Sequence, residues 1–171
     1  MPDLLWDDVR DFFDPELMGS LPDVVIEGTG VEDWQAVFDL LRSEDWAYEY
    51  SIDGQALSLP AASEVFAEGR EVYPALQVRP SPGVLLNFWP HESTSVDFDI
   101  DLREFQGQER LDLLCGLFRV LGRRLGKPVA MAPEGDHGHP VLGYDVDADR
   151  VVLLAGPVKA PPRAGPSRAV R

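Results

Sequence analysis

The sequence predicts an α+β domain in which an antiparallel or mixed β-sheet carries two main helices on one face. Three observations predict this class. An apolar stripe with the period of a helix runs through residues 108–125, and a strictly alternating strand pattern precedes it at 95–102. A strand-helix-strand pattern recurs at 23–52 and at 95–132, which favours a sheet with its helices on one side.

The helix predicted at 108–125 has the strongest pattern in the chain. Its apolar residues recur three and four positions apart and cover a broad arc, which suits packing on a sheet. Gly116 and Gly122 interrupt it, and a glycine costs about 1 kcal/mol relative to alanine in a helix interior. We therefore expect a neighbouring backbone to approach closely at these glycines. Gly126 and Pro128 end the helix.

The remaining elements follow from shorter patterns. A second main helix is predicted at 31–42, a short N-terminal helix within 2–14, and a helical turn or two around 61–67. Further strands are predicted at 23–28, 46–52, 75–79, 84–89, 129–132, and in a hairpin of 141–145 with 150–154. The strand order does not follow from these patterns.

Size and composition favour one domain at 1–154, followed by a Pro-, Ala- and Arg-rich tail at 155–171 that we predict to be disordered. No apolar run reaches membrane-spanning length, and the N-terminus has no signal-peptide pattern. The single cysteine, Cys115, falls within a predicted helix and cannot form an internal disulfide. These features indicate a cytoplasmic protein with no membrane partner.

The charge is strongly negative and unevenly distributed. The formal net charge is −15, and residues 1–110 carry 24 Asp and Glu against 6 Arg and no Lys. Such a field repels nucleic acid and anionic membranes and attracts a basic protein partner. An acidic surface that only keeps the protein soluble is an alternative interpretation. The oligomeric state is not predicted.

The most regular group of acidic residues lies on the strand at 95–102. Asp97, Asp99 and Asp101 alternate with apolar residues and therefore share one strand face. They could form a solvated face that resists edge aggregation, hold a divalent ion, or provide an acidic docking strip for a basic partner. The docking strip is the functional interpretation that we favour.

Three aromatic residues are candidates for a binding interface. Tyr48 and Tyr50 alternate along a predicted strand, and Trp89 ends another. Aromatic side chains that point outward within a charged surface are typical binding hot spots. Core and cross-strand packing is the simpler interpretation of the same residues.

The histidines provide a second hypothesis for a metal site. His137 and His139 lie two residues apart in the loop at 133–140, and His91 follows the strand at 84–89. With a nearby carboxylate, these imidazoles could bind a divalent metal such as zinc or iron. The spacing matches no specific metal motif, and a polar Gly- and Pro-rich turn is the commoner explanation of such a segment. We expect no cofactor, with a divalent metal at these residues as the alternative.

No complete catalytic motif is present in the sequence. There is no G-x-S-x-G elbow, no S-x-x-K with partners and no phosphate-loop lysine. We therefore expect a non-enzymatic, acidic protein-binding domain that neutralises a basic partner, as an inhibitor, an immunity protein or an adaptor would. The alternative hypotheses are a metal-dependent enzyme centred on His91, His137 and His139, and a subunit that acts mainly through self-association.

Overall fold

The computed structural model describes residues 1–155 and shows an α+β fold built on one nine-stranded sheet. The strands are β1 (Asp23–Glu27), β2 (Ala47–Ile52), β3 (Gln55–Leu57), β4 (Ala75–Ser81), β5 (Val84–Phe88), β6 (Ser95–Asp99), β7 (Val129–Ala132), β8 (Leu142–Asp145) and β9 (Arg150–Leu153). The helices are α1 (Trp6–Val9), α2 (Pro15–Met18), α3 (Val31–Ser43), α4 (Ala62–Val65) and α5 (Gln108–Leu125), with 3-10 turns at Arg10–Phe13 and Leu102–Glu104. The tail predicted at 155–171 lies outside the described residues, apart from its first residue.

The strands lie in the order β3-β2-β4-β5-β6-β1-β7-β8-β9, and every neighbouring pair is antiparallel. The strands β6 and β7, which α5 connects, lie on either side of β1. Both edges of β1 are therefore hydrogen-bonded, and the strand lies in the middle of the sheet. This order could not be predicted, because it depends on contacts between residues far apart in sequence.

The two main helices pack on the same face of the sheet, as predicted. Trp34 of α3 lies with its ring centroid 6.4 Å from that of Phe88 on β5. Phe118 of α5 is 6.4 Å from Phe98 on β6, and the rings of Phe88 and Phe98 stack at 4.6 Å. All four side chains are buried. The residues of the opposite face, hereafter the open face, remain partly or fully exposed along β6 and β1.

The N-terminal segment is less regular than predicted. The expected helix within 2–14 is a single turn, α1, followed by the 3-10 turn that buries Phe12 and Phe13. Asp3 pairs with Arg119 of α5 and also accepts a hydrogen bond from the backbone amide of Val151 at 2.9 Å. This one carboxylate therefore joins the N-terminus to α5 and to β9. No helix in residues 1–155 has the length and hydropathy needed to cross a membrane.

The two interior glycines of α5 have different environments, and the expectation of a close backbone at both is wrong. A Cβ atom at Gly122 would lie 2.6 Å from Cε1 and 2.9 Å from Cγ of Tyr144, whose ring packs there. A Cβ atom at Gly116 would meet nothing within 4 Å. Gly122 therefore makes room for an aromatic side chain, whereas Gly116 has no packing role in residues 1–155.

Candidate functional site

The middle of the open face is acidic. Asp97 of β6 lies opposite Val25 of β1, and Asp99 lies opposite Asp23. Side chains directly opposite each other on one face have Cβ atoms about 4.5–5.5 Å apart. The open face therefore carries four carboxylates on these two strands, and neither strand contains a Lys or Arg. They belong to Asp97 and Asp99 of β6 and to Asp23 and Glu27 of β1.

Asp101 does not belong to this group, although its spacing predicted that it would. The strand β6 ends at Asp99, the amides of Ile100 and Leu102 donate to the carbonyls of Pro22 and Ser20, and the 3-10 turn Leu102–Glu104 follows. The side chain of Asp101 accepts a hydrogen bond from the backbone amide of Arg103 at 3.0 Å and pairs with its guanidinium at 2.6 Å. Hydrogen bonding to Arg103 lowers the pKa of the Asp101 carboxyl. Its charge is therefore paired with that of Arg103.

The other two predicted aspartates differ in how much hydrogen-bonding capacity remains. Asn87 donates from Nδ2 to one oxygen of Asp99 at 3.0 Å, and Trp89 donates from Nε1 to the other at 2.7 Å. Asp97 accepts one hydrogen bond, from the hydroxyl of Ser95 at 2.6 Å. Asp99 therefore has a structural role in holding Trp89, while the second oxygen of Asp97 has no donor within residues 1–155.

The loop between β7 and β8 adds a histidine to the acidic face. His137 lies with Nε2 at 3.5 Å from Oδ2 of Asp23. Burial raises the pKa of the Asp23 carboxyl, and His137 opposes this shift. The neighbouring His139 is hydrogen-bonded through Nδ1 to Asp136 at 2.8 Å, which raises the pKa of that imidazole. The loop thus brings His137 to the β1 carboxylates, while His139 pairs within the loop.

A cleft of about 360 Å³ lies beside these carboxylates, between β1 and β7. Its walls are mainly apolar, and its polar members are Glu27 and His137. The lining residues are Val25, Glu27, Pro128, Ala130, Ala132, His137 and Pro140. The register explains the cleft, because Val25 pairs with Ala130, whose small side chain leaves space on the open face. Most of these residues could not be identified before β1 and β7 were known to be neighbours.

The three histidines of the metal hypothesis are not assembled into one site. The ring of His91 packs against Tyr73 at 5.0 Å and Trp89 at 5.9 Å, in a pocket that His137 does not line. Within residues 1–155, no group of three or more His, Cys, Asp or Glu side chains is arranged to hold a metal ion. His91, His137 and His139 therefore do not provide a common coordination sphere.

The predicted interface aromatics also occupy different faces. Tyr50 pairs with the buried Leu76 on the helix-covered face and is only 5% exposed, so it is a core residue and not an interface residue. Tyr48 lies on the same face but is 38% exposed. Trp89 is equally exposed and lies on the open face, where its indole reaches Asp99. Of the three, only Trp89 adjoins the acidic group.

Cys115 has no reactive role in this arrangement. The residue lies in α5 near Asp3 and Arg119 and is 3% exposed. Burial raises its pKa to about 12, so the thiolate needed for nucleophilic attack is scarce at neutral pH. Catalysis through this residue is therefore not supported.

Comparison with known proteins does not assign a function. No protein-family model, no curated protein and no solved structure matches this chain. The open face and its cleft are thus the observations on which a functional proposal can rest.

Proposed function

We propose that this chain is a non-enzymatic, cytoplasmic protein-binding domain whose open face receives a basic protein, in the way that an inhibitor, an immunity protein or an adaptor does. The observation that carries the proposal is the group of four carboxylates on β6 and β1, with no cation on either strand. These carboxylates lie in the middle of the sheet, on the face that the helices leave uncovered. Charge complementarity at such a surface accelerates association and selects among partners.

The distribution of cations supports this choice of face. Residues 1–155 contain all 30 acidic residues of the chain but only 11 of its 15 Lys and Arg residues. Several of these cations pair with carboxylates on the helical side: Arg42 with Asp39, Arg119 with Asp3, Arg123 with Asp149, and Lys127 with Asp33. The acidic groups of the helical side are thus partly neutralised, whereas the carboxylates of β6 and β1 have no Lys or Arg partner within the described residues.

The sign of the charge also favours a protein partner over the alternatives. Nucleic acid is repelled by these four carboxylates, because its binding requires cations on the protein. Self-association through the open face would place the same carboxylates against their symmetry copies, which is unfavourable. A metal-dependent enzyme at His91, His137 and His139 gains no support, since these side chains do not converge.

The proposal can be tested by affinity capture followed by measurement with the purified partner. The immobilised chain should retain a basic protein from its source cell at about 50 mM salt and release it at about 500 mM, because surface charge is screened at the higher concentration. Calorimetry with that purified protein should then show about tenfold weaker binding for the variant Asp23→Asn with Asp97→Asn, which corresponds to about 1.4 kcal/mol.

The matched control removes two charges from exposed positions on the helical side. Glu44→Gln with Glu64→Gln changes the net charge by the same amount, and both residues are exposed. We expect this control to bind the partner about as tightly as the unmodified chain, within about threefold. Retention of no basic protein at low salt, or equal weakening by the two double variants, would contradict the proposal.

A further inference from the structure

We propose that the cleft between β1 and β7 is a pocket for one basic side chain, lysine or arginine, of the protein partner. This inference rests on the proposed function and adds to it the point at which the partner is anchored. The pocket occupies about 360 Å³ and lies beside the carboxylates of β6 and β1.

The apolar walls fit the methylene stem of such a side chain. Val25, Ala130 and Ala132 form one part of the lining, and Pro128 and Pro140 form another. Lysine and arginine commonly bury their stems along apolar surface while the charged group stays at a polar edge. A purely apolar side chain would fill the same space but would leave the neighbouring carboxylates desolvated without a partner, which is costly.

The carboxylates with free acceptor capacity lie where the charged group would reach them. Glu27 lines the cleft itself, and its carboxylate makes no hydrogen bond or ion pair with residues 1–155. Asp97 lies directly opposite Val25 across the β1–β6 pair, so a cation above Val25 is within reach of its unbonded oxygen. Among residues 1–155, no Lys or Arg lines the cleft. An anionic side chain would therefore meet like charge there, and a cationic one finds its counter-ions in place.

The inference can be tested on the full chain with short capped peptides as probes. The peptides are Ala-Lys-Ala, Ala-Arg-Ala, Ala-norleucine-Ala and Ala-Glu-Ala, each added to the chain with ¹³C-labelled Ala and Val methyl groups at about pH 8, where histidine side chains are ordinarily neutral. The basic peptides should shift the methyl signals of Val25, Ala130 and Ala132 in a saturable way, with the shifts reduced at about 500 mM salt. Norleucine, which has the apolar stem without the charge, and Glu should leave them in place.

Two variants separate the shape of the pocket from its charge. Ala130→Leu fills the cleft and should abolish the shifts of Val25 and Ala132. The control Ala47→Leu changes an exposed alanine of β2 that also lies on the open face, and it should preserve the shifts. Glu27→Gln keeps the shape and should weaken binding of the basic peptides about threefold or more.

The outcomes distinguish this inference from the proposed function. If the basic peptides shift signals only elsewhere on the open face, the pocket is not the anchoring point, and the proposal of an acidic binding face remains supported. Equal shifts with norleucine would overturn the role of charge in the pocket. The absence of any open-face shift with the basic peptides would contradict both proposals.

Discussion

Replacing each interior glycine of α5 by alanine should change the stability of the domain in opposite directions. Gly116 and Gly122 lie six residues apart in the same helix, and either substitution removes the conformational cost of a glycine in a helix interior, about 1 kcal/mol. At Gly116 the new methyl group meets nothing within 4 Å. Gly116→Ala should therefore raise the free energy of unfolding by about 0.5–1 kcal/mol.

The same methyl group at position 122 has no room. It would lie 2.6 Å from Cε1 and 2.9 Å from Cγ of Tyr144, whereas carbon atoms in favourable contact are about 3.5–4.0 Å apart. Tyr144 cannot move away easily, because its ring is buried and its hydroxyl donates to Asp149 at 2.6 Å. Overpacking of this kind costs about 1–3 kcal/mol, so Gly122→Ala should be destabilising by up to about 2 kcal/mol after the helix gain of about 1 kcal/mol is subtracted.

Urea unfolding followed by circular dichroism measures both variants against the unmodified chain. The midpoint should rise for Gly116→Ala and fall for Gly122→Ala, with similar slopes for all three proteins. A rise of the midpoint for Gly122→Ala comparable to that for Gly116→Ala would show that Tyr144 does not pack against this turn of the helix, and the reasoning would fail.

Three further predictions concern the pairing or burial of individual side chains. Asp3→Ala should lower the free energy of unfolding by about 2 kcal/mol in urea melts, because Arg119 and a backbone amide of β9 lose their acceptor. An unchanged free energy of unfolding would contradict the role of Asp3 in joining the N-terminus to α5 and β9. Hydrogen bonding to Arg123 depresses the pKa of Asp149 far below its usual value, so its contribution is present at neutral pH and is lost as the pH falls through the folded-state value. The difference in urea midpoint between the unmodified chain and Asp149→Asn should therefore narrow below about pH 4. A difference independent of pH would contradict a stabilising role for the ionised Asp149 carboxylate. Cys115 should resist a disulfide reagent at about pH 8 until the chain is unfolded, since burial raises its pKa to about 12; rapid reaction of the folded chain would contradict its burial.

The elements that depend on local periodicity could be predicted from the sequence. The helix predicted at 108–125 is observed as Gln108–Leu125, and the strand expected at 95–102 begins at Ser95. Both depend on side-chain spacing along a single segment, which the hydrophobic pattern encodes directly. The three-residue edge strand β3 was not predicted, because all of its residues are exposed and no apolar alternation marks it.

Local side-chain chemistry explains why the acidic strip is shorter than predicted. Asp101 continues the alternation of β6, but its carboxylate bonds the backbone amide of Arg103 and begins a 3-10 turn. An aspartate side chain readily accepts hydrogen bonds from nearby backbone amides, which competes with continued strand pairing. Periodicity alone cannot detect this change, because Asp101 keeps its place in the alternating pattern while its side chain bonds to the backbone of the turn that follows.

The candidate site could be predicted only in part, because it depends on strand order. Asp97 was identified from its own strand, whereas Asp23 and Glu27 become neighbours of β6 only through the pairing of β1 with β6. His137 is a candidate metal ligand in the alternative hypothesis, and the structure places it beside Asp23. The strand β1 contains three consecutive apolar residues between Asp23 and Glu27, so its sequence does not show which face is exposed; that follows only from the pairing of β1 with β6.

Zero-length carbodiimide cross-linking to the captured basic protein would test the central claim most directly, because it joins a carboxylate to a lysine amine only where the two are in contact. If the open face is the binding surface, mass spectrometry should locate the cross-links at Asp23, Glu27 and Asp97. Cross-links confined to carboxylates of the helical side, such as Asp39 and Glu109, would place the partner on the opposite face and contradict the account.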